Sequence, residues 1–404
     1  MKTKLIYIAL VVALLAAAPA ARAGYTYTNI ADSSSATFSG FNGDVSLNSA
    51  GTVAFFSFLD AGGSGIFTGA GGATTTIANS SSPTFSGFSG SPSINSAGTV
   101  AFLAGLDTVT ANGGHSGVFT GAGGATSTIA LSSTTGYSEN FNSVAINSGG
   151  TVVFTAGLVS SAGGGSGIFT GAGTAIATSS NSIFNTFGAP SINSAGTVAF
   201  SATLDSGGSG IYTSAGGATT TIADSSSPIY SSLGGGVINT GGTVAFYASL
   251  DAGGGGIFTK AGGTTTTIFT NTAHTSYGSG LSLNSAGTVA FTRSEDSGGV
   301  GIFVGSGGAT TQIIHSGDAL FGGIVAGGIS LQLGSQALND NGQVAFRYTL
   351  LDGRSGVAVA SVPEPSSALL LAAGAGALAM YRRSSKTKNP RNRAKIAAGQ
   401  KLSR

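Results

Sequence analysis

Seven times along the chain, a polar Asn-x-x-Gly segment is followed, after one further residue, by an apolar Val-(Ala/Val)-Phe segment. The copies begin at Asn48, Asn95, Asn147, Asn193, Asn239, Asn284 and Asn339, spaced 45 to 55 residues apart. Asn bonds its own backbone and Gly accepts a positive φ, so each polar segment predicts a tight turn. Each apolar segment predicts a strand. In the second copy the pattern predicts a short strand at 93–94, a turn at 95–98 and a strand over 99–106. A Gly-rich loop opens at Asp107 and ends at 115–117. A third strand follows at 118–120, a second Gly-rich turn at 121–124 and a fourth strand at 126–130. Four short antiparallel strands in a repeat of about 45 residues is the content of one propeller blade.

Alternation within the strand indicates what covers it. Val100, Phe102 and Leu106 share one face, while Ala101, Leu103 and Gly105 share the other. Neither face is polar, so both require cover. One is bulky and the other mostly small, which lets neighbouring blades interdigitate. The repeated Phe55, Phe102, Phe154, Phe200, Phe246, Phe291 and Phe346 mark the bulky face. Third strands of the Ile-Phe-Thr type occur in all seven copies, but fourth strands of the Thr-Thr-Ile-Ala type follow only six. The missing one stands at the other end of the repeats. Thr28-Asn29-Ile30-Ala31-Asp32-Ser33 parallels Thr221-Ile222-Ala223-Asp224-Ser225 in its Ile-Ala-Asp-Ser core. The pattern therefore predicts an all-β, seven-bladed β-propeller over 24–361, closed by its N-terminal strand. A β-solenoid is the alternative, although an open solenoid has no need of this offset.

The ends read as addresses. Residues 1–23 have a basic start, an apolar run and Ala21-Arg22-Ala23, the parts of a signal peptide. There is no cysteine, so no disulfide supports the exported chain. Twelve of the 16 basic residues lie in this leader or in the tail from Arg382 onward. The body keeps four, Lys260, Arg293, Arg347 and Arg354, against 14 acids, a net charge of about −10. Such a surface argues against nucleic acid, which requires clustered Lys and Arg.

Near the C-terminus stands Val362-Pro363-Glu364-Pro365, then an apolar run over 368–381, then Arg382-Arg383. Fourteen apolar residues are short for a spanning helix, which needs about 20. The order of parts over 362–383 resembles the PEP-CTERM sorting signal. The resemblance implies recognition by exosortase, a membrane transpeptidase, in a diderm bacterium that makes exopolysaccharide. It implies cleavage near Pro363-Glu364-Pro365, with membrane contact only through this segment before processing. The basic tail, 384–404, would stay cytoplasmic; it is longer than such signals usually carry, so a retained anchor is the alternative to cleavage. The repeats over 47–346 resemble the choice-of-anchor tandem-repeat family named for its NxxGxxAF motif, which brings no activity with it.

Candidate chemistry is sparse. The seven motif asparagines read as structural turn residues. Asp60, Asp107, Asp205 and Asp251 each open a Gly-rich loop. An acid beside free backbone carbonyls suits Ca²⁺, but one acid per loop is few, and turn stabilisation is the simpler role; no other cofactor is expected. His115, His274 and His315 lack metal-ligand spacing. There is no Gly-x-Ser-x-Gly elbow and no phosphate loop. Polar residues do concentrate in the last two repeats: Arg293, Glu295, Asp296, His315, Asp318, Arg347, Asp352 and Arg354. An insertion near 321–333 accompanies them. These residues form the candidate polar site, against the simpler reading that terminal repeats diverged. The leading expectation is a non-catalytic surface or matrix protein that binds exopolysaccharide. A glycan-active enzyme using the last two repeats and a protein–protein adhesion module are the alternatives.

Overall fold

The computed structural model describes residues 24–108, 115–132, 136–180, 183–271, 277–294, 299–328 and 331–362. The leader, the sorting segment from Pro363 onward and the basic tail lie outside them, as does His274. The unit Tyr27–Ser361 consists of seven similar sheets. In blade one the strands Phe38–Leu47, Val53–Leu59, Ser64–Gly69 and Thr75–Asn79 pair in chain order. Blades two to six repeat this order. In blade four the first strand is split into Phe184–Phe187 and Ser191–Ile192.

Blade seven is assembled from both ends of the unit. Its order is Leu331–Gln332, Val344–Thr349, Ser355–Ser361 and then the N-terminal strand Thr26–Asp32. The ring is closed as the repeat offset predicts. Ile30 and Ala31 of the closing strand are buried with Phe38, Phe55, Val357 and Val359, at the junction of blades seven and one. The Tyr27 hydroxyl donates to the Ile313 carbonyl of blade six at 2.6 Å, and its ring meets Phe346 edge-on at 6.3 Å.

The alternation of faces becomes the packing between blades. Val100, Phe102, Ala104 and Leu106 of blade two pack onto Ala54, Phe56, Ile66 and Ile77 of blade one. Ala101 and Leu103, on the opposite face, pack into blade three. Every repeated Phe is fully buried, at a transfer energy of roughly 1.5–3 kcal/mol each. In six blades it lies opposite an aromatic ring of the third strand, as Phe55 does Phe67 and Phe200 does Tyr212. Blade seven has Ala358 there.

The first strands of blades one to six lie nearest the axis, since their residues line the cavities there, and blade seven contributes Gly334, Ser335, Gln336 and Leu338, just after its first strand. In blade two the first strand is longer than the two residues that the pattern predicts, spanning Phe85–Ile94. Bulges explain the difference. Ser89 and Ser93 pair with Leu103 and Ala101, so four steps on one strand face two on the other. That irregularity breaks the period-two pattern by which strands are read. The insertion in the last repeat forms a hairpin, Ala319–Leu320 with Gly323–Ile324. Phe321 and Gly322 at its tip have φ of 47° and 76°, the left-handed pair of a type I′ turn. The Phe321 ring packs on Tyr348 at 5.5 Å.

Candidate functional site

The motif asparagines form a ring around one mouth of the channel. Oδ1 of Asn48 accepts from the N–H groups of Ala50 and Thr52 at 3.0 and 2.9 Å, closing its own turn. Nδ2 donates to the carbonyl of Asn95 in the next blade at 3.3 Å. The same link joins Asn147 to Asn193, Asn193 to Asn239, Asn239 to Asn284, and Asn284 to Asn339, at 2.9–3.5 Å. Asn339 returns to Asn48 at 3.1 Å, joining the last blade to the first. All seven asparagines are buried. The turn role is present, and a role between blades accompanies it.

A second tier of bonds lies below. The serine two residues before the motif Asn accepts an N–H from the next blade: Ser46 from Ile94, Ser93 from Ile146, Ser191 from Ile238 and Ser282 from Leu338, at 2.9–3.2 Å. Blade seven contributes a longer side chain here. The Gln336 amide oxygen accepts from Ser46 and Ser93 at 3.1 and 2.5 Å, and its nitrogen donates to the Ile146 carbonyl at 3.3 Å. Gln336 therefore reaches blades one, two and three from blade seven. It contributes to both axial cavities, a dish of about 220 Å³ beside the asparagines and a deeper one of about 340 Å³ beyond.

The bulges of the inner strands shape the deeper cavity. Gly43 has φ +68°, and a Cβ there would lie 2.7 Å from the Gly90 carbonyl oxygen, so adjacent bulges touch. The Asp44 N–H donates to Ser91 Oγ at 2.8 Å across the same junction. The partly buried Asp44 also lines the cavity. Burial pushes its carboxyl above the usual range, and the Arg347 charge draws it back. Arg347 donates from Nη1 to the Phe41 carbonyl at 2.9 Å, between blades seven and one. Tyr247 of blade five contributes to the cavity wall. A Cβ on Gly234 would lie 2.4 Å from its ring, so the glycines of that bulge make room for it.

The eight polar residues of the last two repeats separate into smaller groups. Glu295 and Asp296 lie outside the described residues. Asp352 and Arg354 pair at 2.8 Å on the surface, which holds the Asp352 carboxyl below its usual range. Arg354 also donates to the Phe321 carbonyl of the hairpin. Asp318 accepts from the His315 N–H at 2.8 Å, within its own turn. Arg293 lies over the rings of Phe303 and Phe269, at 3.9 and 4.7 Å from their centroids, and shares Gly301 as a cross-strand neighbour with His315. None of the six described residues lines the axial cavities; Arg347 bonds the Phe41 carbonyl, three residues before Asp44.

Asp60, Asp107, Asp205 and Asp251 are exposed on the rim opposite the asparagines. Their N–H groups donate to the segment preceding the first strand, as Asp60 does to the Thr37 carbonyl and Asp205 to that of Ile183. Among the described residues, no three His, Asp or Glu side chains gather so as to hold a metal ion. Where Val159 interrupts the aspartate series, a 3₁₀ turn, Ser160–Ala162, takes the loop. Sequence reasoning missed Asp44, Gln336 and Tyr247. The signal for Asp44 was departure from the repeat, a carboxylate where the other copies carry Ser, Ala or Gly, whereas Tyr247 and Gln336 stand at positions that vary from copy to copy.

Residues 361–386 match the PEP-CTERM protein-sorting motif. Ser361 and Val362 are its described part, and Val362 is exposed. Fold and motif together define an exported, exosortase-processed cell-surface β-propeller. Residues 8–164 and 322–369, just over half of the chain, match a family described as Family of unknown function (DUF7453). The chain belongs to that family. No curated protein matches the sequence. Among solved structures, an oligogalacturonate lyase in complex with manganese is similar at a TM-score of 0.53 and 9% identity, over 84% of this chain and 97% of that one. Oligogalacturonate lyase from Vibrio parahaemolyticus is similar at 0.51 and 10%, over 84% and 98%. TolB from Acinetobacter baumannii is similar at 0.41 and 15%, over 66% of this chain; the match spans 63% of TolB's own length. At these identities the likeness shows the fold alone.

Proposed function

We propose that this protein is a non-catalytic component of the cell surface or extracellular matrix that binds extracellular polysaccharide after sorting by exosortase. The carrying observation is the sorting motif at 361–386 on a propeller of near-identical blades. Repeated blades suit multivalent or structural attachment, since each copy presents the same chemistry again. The resemblance of the repeats to the NxxGxxAF family, whose members carry varied surface-sorting tails, belongs to the same reading. The scattering of the described polar residues of the last two repeats supports a role without catalysis.

The adhesion reading draws on a different observation. Phe58, Ile183, Ile229 and Leu351 are exposed large apolar residues on the aspartate rim. They come from four separate blades, and single exposed apolar residues are ordinary, so polysaccharide remains the first partner to test.

Two measurements test the proposal. In the native host, the exported chain is expected to leave the inner membrane with a shortened C-terminus. Replacing Pro363, Glu364 and Pro365 by alanine should hold it there at full length, by fractionation and mass spectrometry. On a glycan array, the purified chain is expected to bind one class of polysaccharide saturably, and chelation reports whether the loop aspartates take part through Ca²⁺. A folded protein that binds no glycan with or without Ca²⁺ sinks the polysaccharide role.

A further inference from the structure

The deeper axial cavity departs from the sevenfold pattern at a few points. Four residues before each motif Asn, the other blades carry Ser91, Ser143, Ala189, Gly235, Gly280 and Ser335. Blade one carries Asp44, the one charged residue among the described residues that line this cavity. A ring closed by backbone and serine bonds does not need a carboxylate there, and placing one costs desolvation. Arg347, which bonds the Phe41 carbonyl three residues before Asp44, offsets part of that charge. A neutral, hydroxyl-rich ligand suits that offset better than a cation. Carboxylate and amide groups match hydroxyl donors and acceptors. The Gln336 amide, whose oxygen already accepts from Ser46 and Ser93 and whose nitrogen donates to Ile146, keeps one N–H for a ligand in the same cavity, and Tyr247 supplies an aromatic wall, broad and apolar on its face. A volume of about 340 Å³ is at the low end of small-molecule sites and accommodates one sugar ring.

We propose that this cavity binds a single pyranose unit of a neutral saccharide, with Asp44 and Gln336 bonding its hydroxyls and Tyr247 carrying its apolar face. The proposal rests on the polysaccharide reading for the source of the sugar. The test is calorimetric titration of the full chain, in a detergent without a sugar headgroup, with methyl glucoside, methyl galactoside, methyl mannoside and N-acetylglucosamine. At least one should bind at one site per chain. Asp44→Asn and Tyr247→Leu, chosen to conserve shape and volume, should each weaken binding at least about tenfold, the factor worth about 1.4 kcal/mol, at an unchanged melting temperature. Asp205→Asn, on the rim, should bind as the parent does. If either cavity variant melts early, Gln336→Glu supplies the second test of the same pocket. Absence of binding by all four sugars overturns the proposal, as does equal binding by the parent and the folded cavity variants. Polymer binding on the glycan array that persists in those variants removes the cavity but leaves the polysaccharide role standing. Monosaccharide binding without polymer binding does the reverse. Heat from calcium chloride alone, lost in Asp44→Asn, would make the carboxylate a cation ligand and overturn the saccharide assignment.

Discussion

At six of the seven motif asparagines, all but Asn95, two functions are seen to meet in one buried amide. Its oxygen caps the turn of its own blade, and its nitrogen bonds the next blade. Asn193 accepts from Ala195 and Thr197 and donates to Asn239. Alanine at this position would strand two turn N–H groups and one carbonyl that water reaches poorly. Asn193→Ala is therefore expected to cost roughly 2–4 kcal/mol, since an unsatisfied buried polar group costs about 1–3 kcal/mol. Urea denaturation checks this, and a change under about 0.5 kcal/mol would mean that water replaces the ring without loss.

Among the elements, the closing strand carries the most exposed dependence on pH. Asp32 ends it. Burial pushes the Asp32 carboxyl up, but the Ser34 hydroxyl and N–H, the Asn29 amide and the Arg354 charge outweigh burial and hold it below the usual range. A depressed folded-state pKa contributes stability above the unfolded value, about 3.9, and loses it as pH falls through the folded value. Between pH 6 and about pH 2.5, the parent should therefore lose more melting temperature than Asp32→Asn. Equal losses in the two proteins would remove Asp32 from the acid response. The hairpin at Phe321 shows the opposite case, in which packing decides a conformation. A non-glycine residue at positive φ is disfavoured, and the packing of its ring against Tyr348 compensates.

For the molecule as a whole, closure converts a row of repeats into a ring. Repeat proteins without closure unfold piecewise, because each unit contacts only its neighbours. Here Thr26–Asp32 sits in blade seven and packs against blade one, and the Asn339–Asn48 bond joins the same two blades. Deleting residues 24–32 should remove roughly 3–6 kcal/mol, from the burial of Ile30 and the lost ladder bonds. It should also broaden the urea transition and bring the first proteolytic cuts to blade seven. An unchanged transition would mean that the asparagine ring alone holds the closure.

The number of blades, the strand order, the two packing faces and the strand that closes the ring were all readable along the chain. Each of these follows from short-range periodicity repeated in register, which a single chain displays openly. The sorting motif was equally legible, because order and composition alone define it. What the repeats do to one another emerged from the folded ring. The link from Asn48 to Asn95 spans 47 residues and that from Asn339 to Asn48 spans 291, and no local pattern records a bond across such a distance. The axial cavity was hidden for the same reason. Asp44, Tyr247 and Gln336 belong to three different blades, and only the closed ring brings them to one axis. Bulges displace Asp44 from the alternation by which a strand is read, so its place on the channel became apparent only once the inner strands were paired.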